Sequence, residues 1–475
     1  MTSNAGLPKV AILIVNWNKK TDVLNLLSSL RSFDYDQCKT LVVDNASTDG
    51  SVGAVREGYP EVTVVQNKEN LGGTGGFNTG LRYILQGDMG EFDYIWLLDN
   101  DTQVELSTLR ELLKVAESDS RIGIAGSKIM NPERPGFIVE LGANIDWKRG
   151  IYRPLMKNIP DRDDLKDYYD VGYVSVCSAL VRVEVVRNIE LMDSRYFIIC
   201  DDMDWGITFR RHGYRVVAVN RSITFHPAYS EKEGWSPSSA YYKFRNLLLM
   251  FSKHAQKSNR ISSLFHCIRR PVKKTCFFWI TGNPEIAKVY VLSIIDFLRN
   301  KWGRYDYQFD LSPEVKLYIQ EISKYKRFII IPPGNRVTTE KIIQKIRHEV
   351  ENPYICLLIA KERMHLFSDV DVEEIKVLDS SKKFEYLRTL IILMREGFDF
   401  AVTSPGGGAG TFGNVNYAVK NVYAFDEDKK LFFESRTQPW KLFLLTILGD
   451  MTSLIVFPLV LIVSLRYRVK IVKKR

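Results

Sequence analysis

Cysteine is scarce in this 475-residue chain, and the six that occur, Cys38, Cys177, Cys200, Cys267, Cys276 and Cys356, form no CxxC pair. None is spaced from a histidine as zinc ligands are, so a disulfide scaffold and a zinc module are excluded and a reducing compartment is expected. There is no GxxxxGK[ST] phosphate loop, and the first apolar run is followed by Asn16-Trp17-Asn18 where a dinucleotide fold would carry glycine. P-loop hydrolases and nicotinamide dehydrogenases are therefore disfavoured. With 30 Gly and 17 Pro, 45% apolar and 26% charged residues, collagen-like and disordered chains are excluded too. Met1 to Lys9 lacks the apolar core of a signal peptide, and Val10–Val15 has only strand length, so the N-terminal part is expected in the cytosol.

Acidic residues are nearly missing from two segments. Residues 253–304 carry 11 Lys and Arg against two acids, and 466–475 carry six against none, which leaves the rest at net −5 within a total of +10. Basic charge confined to apolar-rich segments suits an anionic membrane surface better than nucleic acid, whose readers carry it on the binding domain. Leu442–Leu465 has one charge, Asp450, in 24 residues, about 36 Å as a helix. A C-terminal apolar membrane segment is expected, re-entrant or lying in the interface, because a single crossing would separate the basic tail from a cytosolic catalytic part. Attachment through the C-terminus to the cytoplasmic face of the cell membrane follows. A buried helix pair of a soluble domain is the other reading.

From Lys9 to about residue 227, β-branched runs alternate with helical patterns: Val10–Val15, Thr40–Val43, Val62–Val65, Tyr94–Leu98, Ile122–Ala125, Val174–Leu180 and Val216–Val219. Such alternation predicts an α/β fold on a mostly parallel, Rossmann-like sheet with its ligand outside the carboxyl ends of the strands. Four regions are expected: a catalytic domain over 1–250, a basic amphipathic helical region over 251–304, a second Rossmann-like α/β domain over 305–440, and the apolar segment with basic tail over 441–475. In the second α/β region, Phe328–Ile331, Tyr354–Ile359, Ile375–Leu378 and Phe400–Thr403 read as strands, Thr338–Val350 and Lys382–Arg395 as helices. The glycines of 405–410 read as a phosphate cradle or a flexible turn.

Chemistry gathers at strand ends. Asp99-Asn100-Asp101 follows the strand Tyr94–Leu98, and two carboxylates there suit a hard cation, Mn²⁺ or Mg²⁺, that also binds a diphosphate. Asp201-Asp202-Met203-Asp204 precedes an amphipathic stretch, and three aspartates in four residues exceed what one helix cap needs. Their repulsion would lift at least one towards a general base. His226 alone reads as a structural histidine, but beside carboxylate-bound Mn²⁺ it is a sensible ligand. Asn70-Leu71-Gly72-Gly73-Thr74-Gly75-Gly76 would let backbone N–H groups approach a ligand at the start of a helix over Phe77–Leu85.

Together Val10–Asn18, Val43–Ser51, the Asn70-Leu71-Gly72 loop and the DxD at Asp99 resemble family 2 inverting glycosyltransferases of GT-A fold over about residues 9–250. The glycine loop, Asp201–Gly206 and His226 look most like bacterial galactofuranosyltransferases, whose motifs rhamnosyltransferases largely share. The resemblance implies a UDP-sugar donor and a lipid-linked glycan acceptor in cell-surface polysaccharide synthesis. It implies donor contacts by Asn16, Trp17, Asp44, Asn70, Gly72, Gly73 and Asp99, with Asp44 reading the uracil. It further implies a cation held by Asp99, Asp101 and His226, Asp202 as the base, and Asp201 and Asp204 near acceptor hydroxyls. Asn100 departs from the polymerising enzymes, which carry a third acid there. The alternative is a catalytically inactive GT-A scaffold or binding protein.

Overall fold

The computed structural model describes residues 6–33, 35–132, 134–157, 159–226, 236–280, 284–307, 321–332, 336–378, 393, 396–403, 422–426, 431–434 and 439–464. The chain divides into two compact units, one of Met1–Pro271, Val289–Tyr307 and Ser453–Arg475, the other of Val272–Lys288 and Gln308–Thr452. Much of the region expected over 251–304 thus belongs with the first unit.

In the first unit β1 (Val10–Asn16), β2 (Cys38–Asp44), β3 (Thr63–Gln66) and β4 (Tyr94–Asp99) pair in parallel in the order β4-β1-β2-β3, joined by α1 (Lys20–Arg31), α2 (Ser51–Gly58) and α3 (Gly72–Gln86). The apolar run of β1 is buried on both faces because helices cover both. Val10, Ile12 and Ile14 join Val23 and Leu26 of α1, while Ala11 and Leu13 join Phe77 and Leu81 of α3.

Beyond β4 come β5 (Gln103–Val104), α4 (Thr108–Ser118), β6 (Ile122–Asn131), β7 (Arg134–Glu140), β8 (Ala143–Asp146), β9 (Ile151–Pro154), β10 (Ile159–Pro160), β11 (Tyr168–Asp170) and β12 (Ser178–Arg182). After them follow α5 (Val183–Arg187), α6 (Asp201–Arg211), β13 (Arg215–Phe225), α7 (Pro237–His254), α8 (Lys257–Ile280) and α9 (Pro284–Arg299). The sheet reads β10-β7-β6-β12-β4-β1-β2-β3, with β13 beside β6, β5 and β11. It is mixed, which corrects the expectation of a mostly parallel sheet. β12 runs antiparallel to both β4 and β6, since no helix among the described residues between β6 and β12 carries the chain back across the sheet for a parallel return.

The second unit holds β14 (Arg327–Ile330), α10 (Arg336–Glu349), β15 (Tyr354–Ala360), β16 (Glu374–Leu378), β17 (Phe400–Thr403), β18 (Val422–Asp426) and β19 (Leu431–Glu434). Their order is β16-β15-β14-β17-β18-β19, parallel up to the final antiparallel pair. The glycines of 405–410, most of the helix expected at Lys382–Arg395 and the basic tail after residue 465 lie outside the described residues.

The C-terminal membrane segment is overturned. Among the described residues no helix is long and apolar enough to cross a membrane. Helix α11 (Pro439–Ser464) occupies this stretch, and Asp450 near its middle pairs with Lys273 at 3.7 Å. A buried-in-lipid carboxylate would have to lose that aqueous, paired setting. C-terminal anchoring is not supported, and with it goes the expected route to the membrane face.

Candidate active site

Register brings the first polar groups together. Asn16 stands opposite Asp44 across β1 and β2, and Asp99 opposite Val15 across β4 and β1, so three strands end side by side. Asp44 is buried and accepts from Asn16 Nδ2 at 3.2 Å and from the Ser47 N–H at 2.8 Å. Asn100 Nδ2 donates to Asn16 Oδ1 at 2.8 Å. The middle residue of the DxD therefore reaches back to the first strand instead of forward to the other carboxylates. Trp17 is 48% exposed beside them, and Asn18 and Ala46 turn the two loops with left-handed φ of 50° and 60°.

Asp99, Asp101 and His226 converge. β13 ends by pairing Thr224 and Phe225 with β5, just beyond the turn after β4, and this carries His226 onto that turn. His226 Nε2 lies 3.2 Å from Asp101 Oδ1 and 3.6 Å from Asp99 Oδ2. One donor atom from each residue falls within 4.8 Å of the others, the only such cluster among the described residues. Two carboxylate oxygens and an imidazole nitrogen fit Mn²⁺ or Mg²⁺. Burial pushes Asp99 up to about 6, reinforced by Asp101 and Asp201 and opposed by His226. For Asp101 burial acts upward as well, but the hydrogen bond and charge of His226 outweigh it and hold the group below its ordinary value.

The three aspartates of α6 part company. Asp202 is half-buried and held well above the ordinary carboxylate range, by burial first and then by the charges of Asp201, Glu140 and, more weakly, Asp99. Asp201 is raised by burial and accepts from Thr74 Oγ1 at 2.7 Å. Asp204 faces the other way. Its oxygens take Tyr196 OH at 2.7 Å, His254 Nε2 at 2.8 Å and Lys253 Nζ at 2.6 Å. Burial would raise it, but His254 and Lys253 prevail and hold it low. Its two oxygens are spent inside the protein, so it braces the first turn of α6. Glu140, which sequence reasoning missed, is pushed up by burial to about 7. Its Oε1 is buried with no hydrogen-bond partner among the described residues, and it bears electrostatically on Asp202.

The glycine-rich segment differs from expectation. Helix α3 begins at Gly72, five residues before Phe77, so most of these glycines are helical. A Cβ on Gly76 would lie 2.4 Å from Val15 Cγ1, and one on Gly80 2.1 Å from Leu13 Cδ1. The glycines let the helix approach the sheet, and through it the site. Asn70 Oδ1 accepts the Gly72 N–H at 2.8 Å, Asn45 Nδ2 donates to Gly72 O at 2.9 Å, and Gly73 has open space around its Cα. Gly72 has φ +73°, and a Cβ there would meet Phe197 O at 2.2 Å. Gly72→Ala should therefore lower stability by more than the roughly 1–2 kcal/mol of the left-handed backbone alone. Urea unfolding checks this, and an unchanged midpoint would contradict the contact.

Residues 11–190 match the family described as Glycosyl transferase family 2; α6 and His226 lie beyond that match. Galactofuranosyltransferase GlfT2 of Mycolicibacterium smegmatis is 20% identical over 394 residues, 78% of this chain and 59% of that protein. The chain thus spans less than two thirds of that relative. N-acetylglucosaminyl-diphospho-decaprenol L-rhamnosyltransferase of Mycobacterium tuberculosis is 27% identical over 257 residues, 49% of this chain and 79% of that protein. A mannosyltransferase of Pyrobaculum calidifontis, solved with GDP-Man and Mn²⁺, overlays with TM-score 0.39 at 18% identity, over 61% of this chain and 74% of that one. Strands β1 to β4, their polar ends and the acidic turn after β4 fall in the matched stretch, and residues 11–190 are a glycosyl transferase family 2 domain.

Proposed function

We propose that this chain is an inverting glycosyltransferase that passes a sugar, galactofuranose or rhamnose, from a nucleotide diphosphate, read as a UDP-sugar, to a lipid-linked glycan. The reading is supported by a galactofuranosyltransferase and an L-rhamnosyltransferase among its relatives. The observation that carries it is a pair of electrostatically linked groups holding two kinds of carboxylate. Asp99 and Asp101 meet His226 as a hard-cation cluster, while Asp202, with Asp99 among the charges acting on it, is held well above the ordinary carboxylate range, first by burial.

Asp99, Asp101 and His226 would hold Mn²⁺ or Mg²⁺, which when bound neutralises charge on a diphosphate leaving group. Asn16, Trp17 and Asp44 lie on the nucleotide side; Asp44 and Ser47 shape the loop that lines the base. Asp202 takes the proton of the acceptor hydroxyl as its oxygen bonds to the anomeric carbon and the diphosphate departs from the opposite face. One displacement inverts that carbon, and no covalent enzyme intermediate is needed. Glu140 supplies a further acceptor for a hydroxyl of the incoming glycan.

Incubation of the purified protein with a panel of nucleotide sugars, with and without Mn²⁺, tests this. Metal-dependent donor hydrolysis is expected even without acceptor. An intact panel would sink the enzyme reading and favour an inactive scaffold. Cation binding should also depend on pH. Asp99 must shed its proton to ligate, so Mn²⁺ affinity should fall as pH drops through about 6, roughly tenfold per unit below it. Titration calorimetry at pH 5, 6 and 7 reads the slope.

A further inference from the structure

The segment that delivers Asp201 and Asp202 is held against its own backbone preference. Phe197, Ile199 and Cys200 have φ of 67°, 67° and 72°, a left-handed region that side-chain-bearing residues keep only when their surroundings impose it. The imposing element is α7. Asn246, fully buried, points its Nδ2 at three carbonyls of this segment, Tyr196 at 3.1 Å, Ile198 at 2.8 Å and Ile199 at 2.8 Å. The neighbouring Arg245, also fully buried, donates from Nε to Asn246 Oδ1 at 3.0 Å, which fixes which way the amide faces. Its Nη2 reaches the carbonyls of Arg195 and Tyr196 at 3.4 and 3.3 Å.

The same helix fastens the far side of the acidic turn, since Lys253 and His254 hold Asp204. Cys200 to Met203 is therefore strung between two anchorages on one helix. The donor side is tied to the same peptide. Phe197 O accepts the Thr74 N–H at 3.1 Å, and Thr74 Oγ1 bonds Asp201. A fully buried amide that gives both its hydrogens to a strained loop is an expensive way to fill space. It is an economical way to aim a carboxylate.

We propose that Asn246, oriented by Arg245, is a positioning residue that sets the Asp202 carboxylate relative to the glycine-rich segment at Gly72–Thr74. It touches no reacting atom and acts through the carbonyls of residues 196–199. The inference rests on the reading of Asp202 as base. Without the amide, the carbonyls of Ile198 and Ile199 lose its hydrogens and that of Tyr196 keeps only Arg245 and the Ile198 N–H, so the segment relaxes towards right-handed φ and the start of α6 tilts.

The test is Asn246→Ala assayed with donor and acceptor. A displacement of about 1 Å at the base should lower kcat about 100-fold, while KM for the nucleotide sugar and the Mn²⁺ dissociation constant stay within about threefold, since Asn16, Trp17 and Asp44 on the nucleotide side and the cation cluster Asp99, Asp101 and His226 lie outside this loop. The double variant Asn246→Ala/Ile199→Gly separates aiming from stability. Glycine adopts this φ freely, so the double variant should regain melting temperature and leave kcat low. Recovery of kcat along with the melting temperature would make the role structural and overturn the proposal, as would a single variant within threefold of wild type. If Asn246→Ala does not fold, Arg245→Lys keeps the charge and removes the bond that orients the amide; the same split between kcat and KM is expected, and unchanged kcat would overturn it. Asp202→Asn in the same assay fails independently: full turnover there removes the base assignment, whereas the Asn246 series still reports whether this loop governs kcat.

Discussion

Asp202→Asn should lower kcat by roughly 10²–10⁴-fold, the usual worth of a positioned base, and leave KM for the donor nearly unchanged. The carboxamide has the same shape and keeps an oxygen for the Met203 N–H, which Asp202 now accepts at 2.7 Å. Only the ability to take a proton is lost. The pH dependence gives a second reading. Because burial and the charges of Asp201 and Glu140 raise Asp202 well above the ordinary range, kcat/KM should climb with pH along a limb displaced upward from the unperturbed value of about 3.9. In the Asn variant that limb should vanish. Stability should move the opposite way. A carboxyl whose folded pKa is raised stabilises below its unfolded pKa and loses that contribution as pH rises through the folded one. Above its folded value the wild type carries the cost of a buried charge, so there Asp202→Asn should melt higher, a trade of stability against activity. Near-normal turnover would remove Asp202 from the mechanism.

How far the site was legible follows from the range of each signal. Strands β1, β2 and β4 and the polar residues ending them are local: an apolar run stops and a carboxylate or amide follows, so Asn16, Asp44 and Asp99 could be lined up from spacing. Asp101 and His226 lie 125 residues apart, each just past the end of a strand, and the family resemblance, not spacing, implied that they share a cation. Asp204 shows where local reading stops. Beside Asp201 and Asp202 it looks like a third site acid, but its fate is set by Lys253 and His254, about 50 residues on. Glu140 and Asn246 carry no motif, one an acid at the end of an antiparallel strand, the other an amide in an ordinary helix. Glycines mislead for a related reason. A sequence says that a backbone comes close to something without saying to what, and at Gly76 and Gly80 the neighbour is β1. The direction of β12 was equally out of reach, because alternation fixes which faces are buried and says nothing of strand sense.

Removal of divalent cations should abolish sugar transfer, and Mn²⁺ or Mg²⁺ should restore it. The argument is electrostatic. Without a cation, Asp99 and Asp101 would turn like charges towards a diphosphate, with His226 beside both, so a metal-free site would repel the proposed donor. With a cation the sign reverses, and the carboxylates become the means of retaining it. His226→Ala takes away one donor and leaves two. Because outer-shell partners alone are worth 10–100-fold in metal affinity, losing a direct ligand should raise the Mn²⁺ concentration for half-maximal activity by at least about that factor. Excess Mn²⁺ should recover much of kcat, since the carboxylates that carry the charge remain. Asp101→Ala should resist such rescue, because it deletes the carboxylate that His226 holds ionised. Half-buried at the end of a strand, His226 contributes little to the core, so the melting temperature of the metal-free variant should stay close to that of the metal-free parent. An enzyme fully active after exhaustive chelation would remove the cation from the mechanism and leave Asp99, Asp101 and His226 as an ion-paired strand end.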